Sequence, residues 1–341
     1  MITWSSLFET SWPKIAQILI VLAFFFGFYG IAFAAGARIR GKAQNKLALT
    51  LFLGPAVLLA MTGLGIPAVQ TFIESFKNAD SSSWVGFANY TRAIKDPDIR
   101  AAFFNTMLWI VITPIVSTSI ALSLATMLNK MKREAVAKSL IFMPMAISFV
   151  GGSLIWNLMY QYQEPNMPQT GLVGQIFLWL HLTPQHILLW SPWNNFFLMV
   201  VYIWGTTGFG MVILSAAIKN IPKEIEEAAQ LDGATGFRLF RTITVPMVKT
   251  TIIVVLTTAM VGTLKLFDLT TAMVGTLKLF DVIHTMTGGN FKTDVLSNRM
   301  FDEIFVYLNN GRGSTLAVLI FLGVLPITYY NIRSIRAERN H

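Results

Sequence analysis

The sequence predicts an all-α integral membrane protein with about seven transmembrane helices, and three observations carry that expectation. Hydrophobic residues make up 54% of the 341-residue chain and charged residues only 13%. Several apolar runs exceed the roughly 18 to 20 residues needed to cross about 30 Å of hydrocarbon. Lysines and arginines gather at the ends of alternate runs, as the positive-inside rule requires of a multi-pass chain.

In chain order, spans are expected over 15–35, 47–72, 103–128, 139–160, 196–218, 247–267 and 314–330. The first is too long and too weakly cationic at its front for a signal-peptide core, and it lacks a clear small-residue cleavage site. It is therefore expected to stay as an anchor, with the mature chain beginning at or near Met1. Arg38, Arg40, Lys42 and Lys46 follow the first span, and Lys130, Lys132, Arg133 and Lys138 follow the third. Lys219, Lys223, Arg238, Arg241 and Lys249 surround the connection after the fifth, and Arg333, Arg336 and Arg339 form the tail. All four groups fall on one side, which is then the cytoplasm, with the N-terminus outside and the C-terminus inside.

The net charge of +9 reflects this asymmetry and the adjoining anionic lipid leaflet. No basic-aromatic module is present, and no nucleic-acid partner is expected. With no cysteine there is no disulfide framework, thiolate nucleophile or Cys-based metal site. His181, His186, His284 and His341 have no two-histidine helical spacing, so no metal is expected. Gly288-Gly289-Asn290-Phe291-Lys292-Thr293 lacks the glycine that a phosphate loop carries before its lysine, so the chain has no ATP site of that kind. A membrane-bound enzyme would need clustered acids, bases or metal ligands, which are missing.

The connection over 219–246 is the most informative stretch. Pro222 suits a first helical position, and Glu224, Glu226 and Glu227 place negative charge beside the positive end of the helix dipole. Ala228 and Ala229 add helix propensity with almost no side chain, which allows close docking. Asp232-Gly233 is turn chemistry, and Thr235 is placed to cap a second helix through Phe237, Leu239 and Phe240. Two short helices and a sharp corner are predicted.

The spacing Glu227-Ala228-Ala229, then Gly233, then Ile243-Thr244-Val245-Pro246 resembles the Glu-Ala-Ala loop of ABC-importer permeases, with Val245 replacing the usual leucine. Ser75-Phe76, Val85-Gly86 with Asn89-Tyr90, and Asn105-Thr106 resemble landmarks of the carbohydrate-type subclass. So do Thr287-Gly288-Gly289-Asn290 with Thr293, and Gly313-Ser314-Thr315, although the proline usual after the glycine pair is absent. The likeness covers about 47–333 and is closest to the maltose permease class. It implies a six-helix permease core over 47–341, with the cytoplasmic coupling loop at 219–246. Residues 1–46 would add an extra N-terminal helix and a basic cytoplasmic loop.

The same resemblance implies a function and a set of partners. The chain would form a sugar pathway with a second permease subunit, above an ABC ATPase dimer and below an extracytoplasmic solute-binding protein. An α-glucoside or similar oligosaccharide would be the cargo, taken across the cytoplasmic membrane of a bacterium or archaeon. No cofactor is expected on this chain; ATP and Mg would sit on the partner ATPase subunits, so the chain itself is not an enzyme. Glu227, Ala228, Ala229, Asp232 and Gly233 would couple to the ATPase. Aligned without gaps from Glu227, Tyr202, Thr206, Phe209 and Thr263 fall where the maltose permease keeps sugar-lining residues. Their identities mostly differ, and hydroxyl and aromatic residues on membrane helices more often serve packing. A glycerol-phosphate permease is the alternative within the class, and an ATP-independent secondary transporter lies outside it. The latter would need inverted repeats or an intramembrane ion relay.

Two further features complete the reading. Residues 161–195 form a long external loop whose Trp179, Trp190 and Trp193 suit an interfacial belt. Residues 257–268 recur letter for letter at 270–281. Thirteen inserted helical residues add about 20 Å and turn the following face by roughly 220°. One copy therefore reads as an insertion, with Lys265, Asp268, Lys278 and Asp281 carrying the ionisable groups near membrane depth.

Overall fold

The computed structural model describes residues 53–58, 60–129, 131–263 and 278–338, together with single helical positions at Leu19, Ala23, Gly27, Tyr29 and Gly30. By internal contacts the chain divides into two units, Met1–Val69 and Gln70–His341. The span expected over 15–35 and most of the duplicated segment lie outside the described residues. Among the described residues there is no strand, only a single antiparallel bridge between Lys77 and Trp84.

Four helices are long and apolar enough to cross a membrane: α1 (Leu53–Glu74), α3 (Pro97–Leu128), α7 (Asn194–Lys219) and Asn310–Tyr330 within α13 (Asn310–Glu338). Two further pairs pass only together. Glu134–Ala146 is followed by α5 (Phe149–Met159) at a bend of 100°, and Gly236–Met247 by α10 (Lys249–Thr263) at 74°. The described spans thus number four to six, and the expected 139–160 helix is broken at Ile147. The cause is local. Pro144 lies in a 3₁₀ turn, Met143–Ala146, that cannot continue the helical ladder. Ser148 then restarts it by accepting from the Gly151 N–H at 3.1 Å.

The start of α3 is written in its sequence. Asp96 caps it by accepting from Asp98 N at 2.9 Å and Ile99 N at 3.4 Å, with Pro97 at the first helical position. α3 and α7 form the central pair, and α10 packs against both. Small residues permit the approach. A Cβ on Gly210 would sit 3.1 Å from Val255 of α10 and 3.2 Å from Ala121 of α3, and one on Gly208 would sit 2.7 Å from the Ile141 carbonyl of α4 (Glu134–Phe142). Buried Ala121, Leu122, Met211, Leu214 and Val255 make one end of the core, and Trp109, Leu198, Tyr202 and Ile283 the other.

Outside the helix bundle, the landmark residues bond to one another. Ser75 Oγ lies 2.7 Å from Tyr90 Oη, Asn89 donates to the Ser75 and Lys77 carbonyls, and Thr315 Oγ1 donates to the Ser75 carbonyl at 3.0 Å. Asn105 donates to the carbonyls of Lys292 at 2.9 Å and Asp294 at 2.8 Å, and Thr106 Oγ1 accepts from Leu296 N. Asn194 and Asn195 at the start of α7 donate to the Phe291 and Lys292 carbonyls. These bonds fix the connection between α11 (Lys278–Met286) and α12 (Leu296–Phe301). Two consecutive non-glycine residues there, Phe291 and Lys292, hold positive φ values of 57° and 62°, a conformation that persists only where its surroundings over-determine it.

Candidate functional site

Midway along the central pair, a cavity of about 240 Å³ opens between α3, α7 and α10. Tyr202, Thr206 and Phe209 line it, and all three stand on one side of α7 because they are spaced by four and three residues. Thr263, the fourth residue proposed from the sequence, is buried at the end of α10. Its Oγ1 donates to the Ala259 carbonyl at 2.9 Å and lies 3.3 Å from Tyr202 Oη. The structure therefore brings all four together, three as wall and Thr263 as a support behind Tyr202. The Tyr202 ring is held edge-on to Trp109 at 6.1 Å and tilted against Phe149 at 5.5 Å. Phe209 is 40% exposed and stands at the mouth.

Hydrogen bonding decides what this wall offers. Thr206 Oγ1 donates to the Tyr202 carbonyl at 2.9 Å and Thr207 Oγ1 to the Ile203 carbonyl at 2.7 Å. Their protons are spent on their own helix, so they present lone pairs. Among the described residues, no Asp, Glu, Lys, Arg or His lines it. The arrangement suits an uncharged ligand bearing hydroxyls and an apolar ring face. Sequence reasoning missed Ser117, Thr118, Thr258 and Met145, which also line it. The only signal was hydroxyl residues inside otherwise apolar spans, which also describes ordinary helix packing.

In the connection over 219–246, two short helices meet at a corner. α8 (Lys223–Leu231) begins one residue later than expected, with Pro222 as its cap residue at ψ 132° and Glu224 and Glu226 in the first turn. It ends at Asp232 in a Schellman arrangement. Gly233 N bonds to the Gln230 carbonyl and Ala234 N to the Ala229 carbonyl, with Gly233 at φ +81°. Thr235 occupies the cap position of α9 (Gly236–Leu239), but its side chain makes no capping bond.

The two alanines divide. Ala229 is buried against Ala234, Leu239 and Ile243, so its small size serves the helix pair itself, while Ala228 and Glu227 are exposed. Among the described residues Glu227 forms no salt bridge. Beside it Leu231 is 89% exposed and Phe237 74% exposed, an apolar outlay on a polar corner.

Comparison with known proteins agrees with this geometry. The family described as binding-protein-dependent transport system inner membrane component matches residues 117–335. An osmoprotective compounds uptake permease protein, GgtC, from Synechocystis sp. is 41% identical over 84% of this chain and 99% of its own length. An alpha-glucoside transport system permease protein, AglF, from Rhizobium meliloti is 40% identical over 90% of this chain and 88% of its own. In fold the chain is similar to a bacterial alginate ABC transporter crystallised with an alginate pentasaccharide-bound periplasmic protein. That likeness has a TM-score of 0.69 at 19% identity, covering 84% of this chain and 93% of that one.

Proposed function

The chain belongs to the family of binding-protein-dependent transport system inner membrane components, and from that membership we propose that it is the permease subunit of an ABC importer for a sugar, with an α-glucoside the first cargo to try. The observation that carries the reading is the convergence of Tyr202, Thr206 and Phe209 on one hydroxyl-lined cavity, with Thr263 behind Tyr202. A second permease subunit would supply the facing wall, and a solute-binding protein would deliver the sugar from outside. The corner of α8 and α9 would be gripped by an ABC ATPase dimer that holds ATP and Mg, leaving no covalent step to this chain.

Glu227 supplies a carboxylate for a cationic partner, since a charge desolvated in a groove needs a counter-charge. Ala228, Leu231 and Phe237 would form the contact around it, and Asp232 and Gly233 would hold the corner rigid. ATP binding would then tip the bundle between inward-open and outward-open states. Residues 1–46 are proposed as an added helix and basic loop ahead of the core at 47–341, with the N-terminus outside and the C-terminus in the cytoplasm.

The glycerol-phosphate alternative calls for a cation facing the phosphate, and the cavity wall has none among the described residues. Uptake of radiolabelled methyl α-D-glucopyranoside or maltose into proteoliposomes carrying the full complex tests the reading. Accumulation should need ATP inside and binding protein outside; accumulation without ATP would instead indicate a secondary transporter.

A further inference from the structure

We infer that Thr118 on α3 is a specificity-determining contact in the cavity between α3, α7 and α10, pairing with a hydroxyl of the sugar ring that enters it. The inference rests on the transport reading above and adds a residue to it. The volume of about 240 Å³ lies below the roughly 300–1,000 Å³ of sites for drug-sized ligands. On this chain's side of the pathway that is room for about one ring of a longer sugar.

The described lining carries no charge, which disfavours an ion. An ionised group entering this wall would lose its hydration and meet no counter-charge among the described residues, whereas a neutral hydroxyl loses only hydrogen bonds that the wall can return. Ring faces on Tyr202 and Phe209 would meet the C–H face of a pyranose, and Thr206 and Thr207 would accept from its hydroxyls.

Thr118 stands apart from these. It is 5% exposed, and its Oγ1 has no hydrogen-bond partner. The carbonyl one turn back, on Pro114, already accepts from Ser117 Oγ at 3.2 Å. A buried hydroxyl left unpaired is destabilising, and native proteins keep few of them. Threonine in a helix has two accessible χ1 wells, so a rotation at this cavity wall would offer an arriving sugar hydroxyl both a donor and an acceptor. Ligand binding would then remove the deficit that the empty site carries.

The test is equilibrium binding of radiolabelled methyl α-D-glucopyranoside to the purified permease–ATPase complex without its binding protein, so that the cavity alone sets the affinity. Thr118→Val should weaken binding about fivefold, the scale of one neutral hydrogen bond. Thr118→Ser should stay within about twofold of wild type, and Thr118→Ala covers the case in which valine is not accommodated. Glucose should compete and glucose 1-phosphate should not. Equal affinity of the valine, alanine and wild-type proteins would overturn the inference, as would competition by the phosphate or absence of binding by a wild-type complex that transports the sugar. A wild-type complex that takes up no sugar would overturn the transport reading along with it.

Discussion

Asp294 makes the fold sensitive to pH in a direction that can be worked out in advance. Its carboxyl lies in the connection between α11 and α12, where burial raises it from 3.8 to about 6, against hydrogen bonding from Asn298 and Val295 that favours the charged form. The folded state therefore holds this proton over the window from about pH 4 to about pH 6, where the unfolded chain has already released it. With the folded pKa raised, the contribution is fully present below pH 4, is lost as pH rises through 6, and is flat above that. A shift of about two units corresponds to about 3 kcal/mol. Thr293, wholly buried next door, and the Asn105 clamp on the Asp294 carbonyl show why the group cannot swing out to water.

The perturbation is Asp294→Asn, which keeps an oxygen to accept from Val295 N and Asn298. The assay is thermal unfolding of the purified complex between pH 4 and pH 8, and the quantity compared is the difference between mutant and wild type, which cancels other titrations. The mutant should gain stability over wild type progressively from pH 4 to 6 and keep that gain above. A difference that is constant with pH, or that favours wild type more as pH rises, refutes the reasoning.

Glu227→Ala should leave the permease in the membrane but reduce co-purified ATPase and substrate-stimulated ATP hydrolysis, and Gly233→Pro should do so more severely because proline cannot adopt φ +81°; normal assembly and hydrolysis in both would remove the coupling role. Gly210→Leu should cost at least the 1–3 kcal/mol typical of overpacking, because its Cβ already meets Val255 and Ala121, and the check is recovery of folded protein by size exclusion. Asn105→Ala should lower the melting temperature by removing both donors to the 292 and 294 carbonyls. Deleting 269–281, which rejoins Asp268 to Val282, should retain or improve sugar uptake; loss of uptake in a properly inserted protein would make the repeat a working element.

What the sequence made legible follows from which signals are local. The α8–Gly233–α9 corner was predicted because capping, turn and dipole preferences act within a few residues. Thr263 then meets Tyr202 at the end of α10, beyond a 74° bend that the sequence alone did not show. The break at Ile147 was equally local but needed Pro144 and Ser148 to act together inside an apolar run that scans as one span. Contacts distant in sequence set the cavity wall. Ser117 and Thr118 joined the cavity only because Gly205 and Gly210 let α7 approach its neighbours. The landmarks flanking the spans were recognised as a pattern, and the structure supplies the reason for it: Asn89, Asn105, Thr287, Thr293 and Thr315 bond across the connections that they mark.

The claim that one cavity is exposed alternately to the two sides can be measured directly because the chain has no cysteine. Thr206→Cys places a single thiol in the cavity wall, and membrane-impermeant maleimides can be applied from either side of proteoliposomes holding the complete transporter. The account predicts labelling from the cytoplasmic side at rest, labelling from the outside when ATP and the binding protein are bound, and protection by the transported sugar. Labelling from the same side in both states, or without protection by sugar, would contradict it.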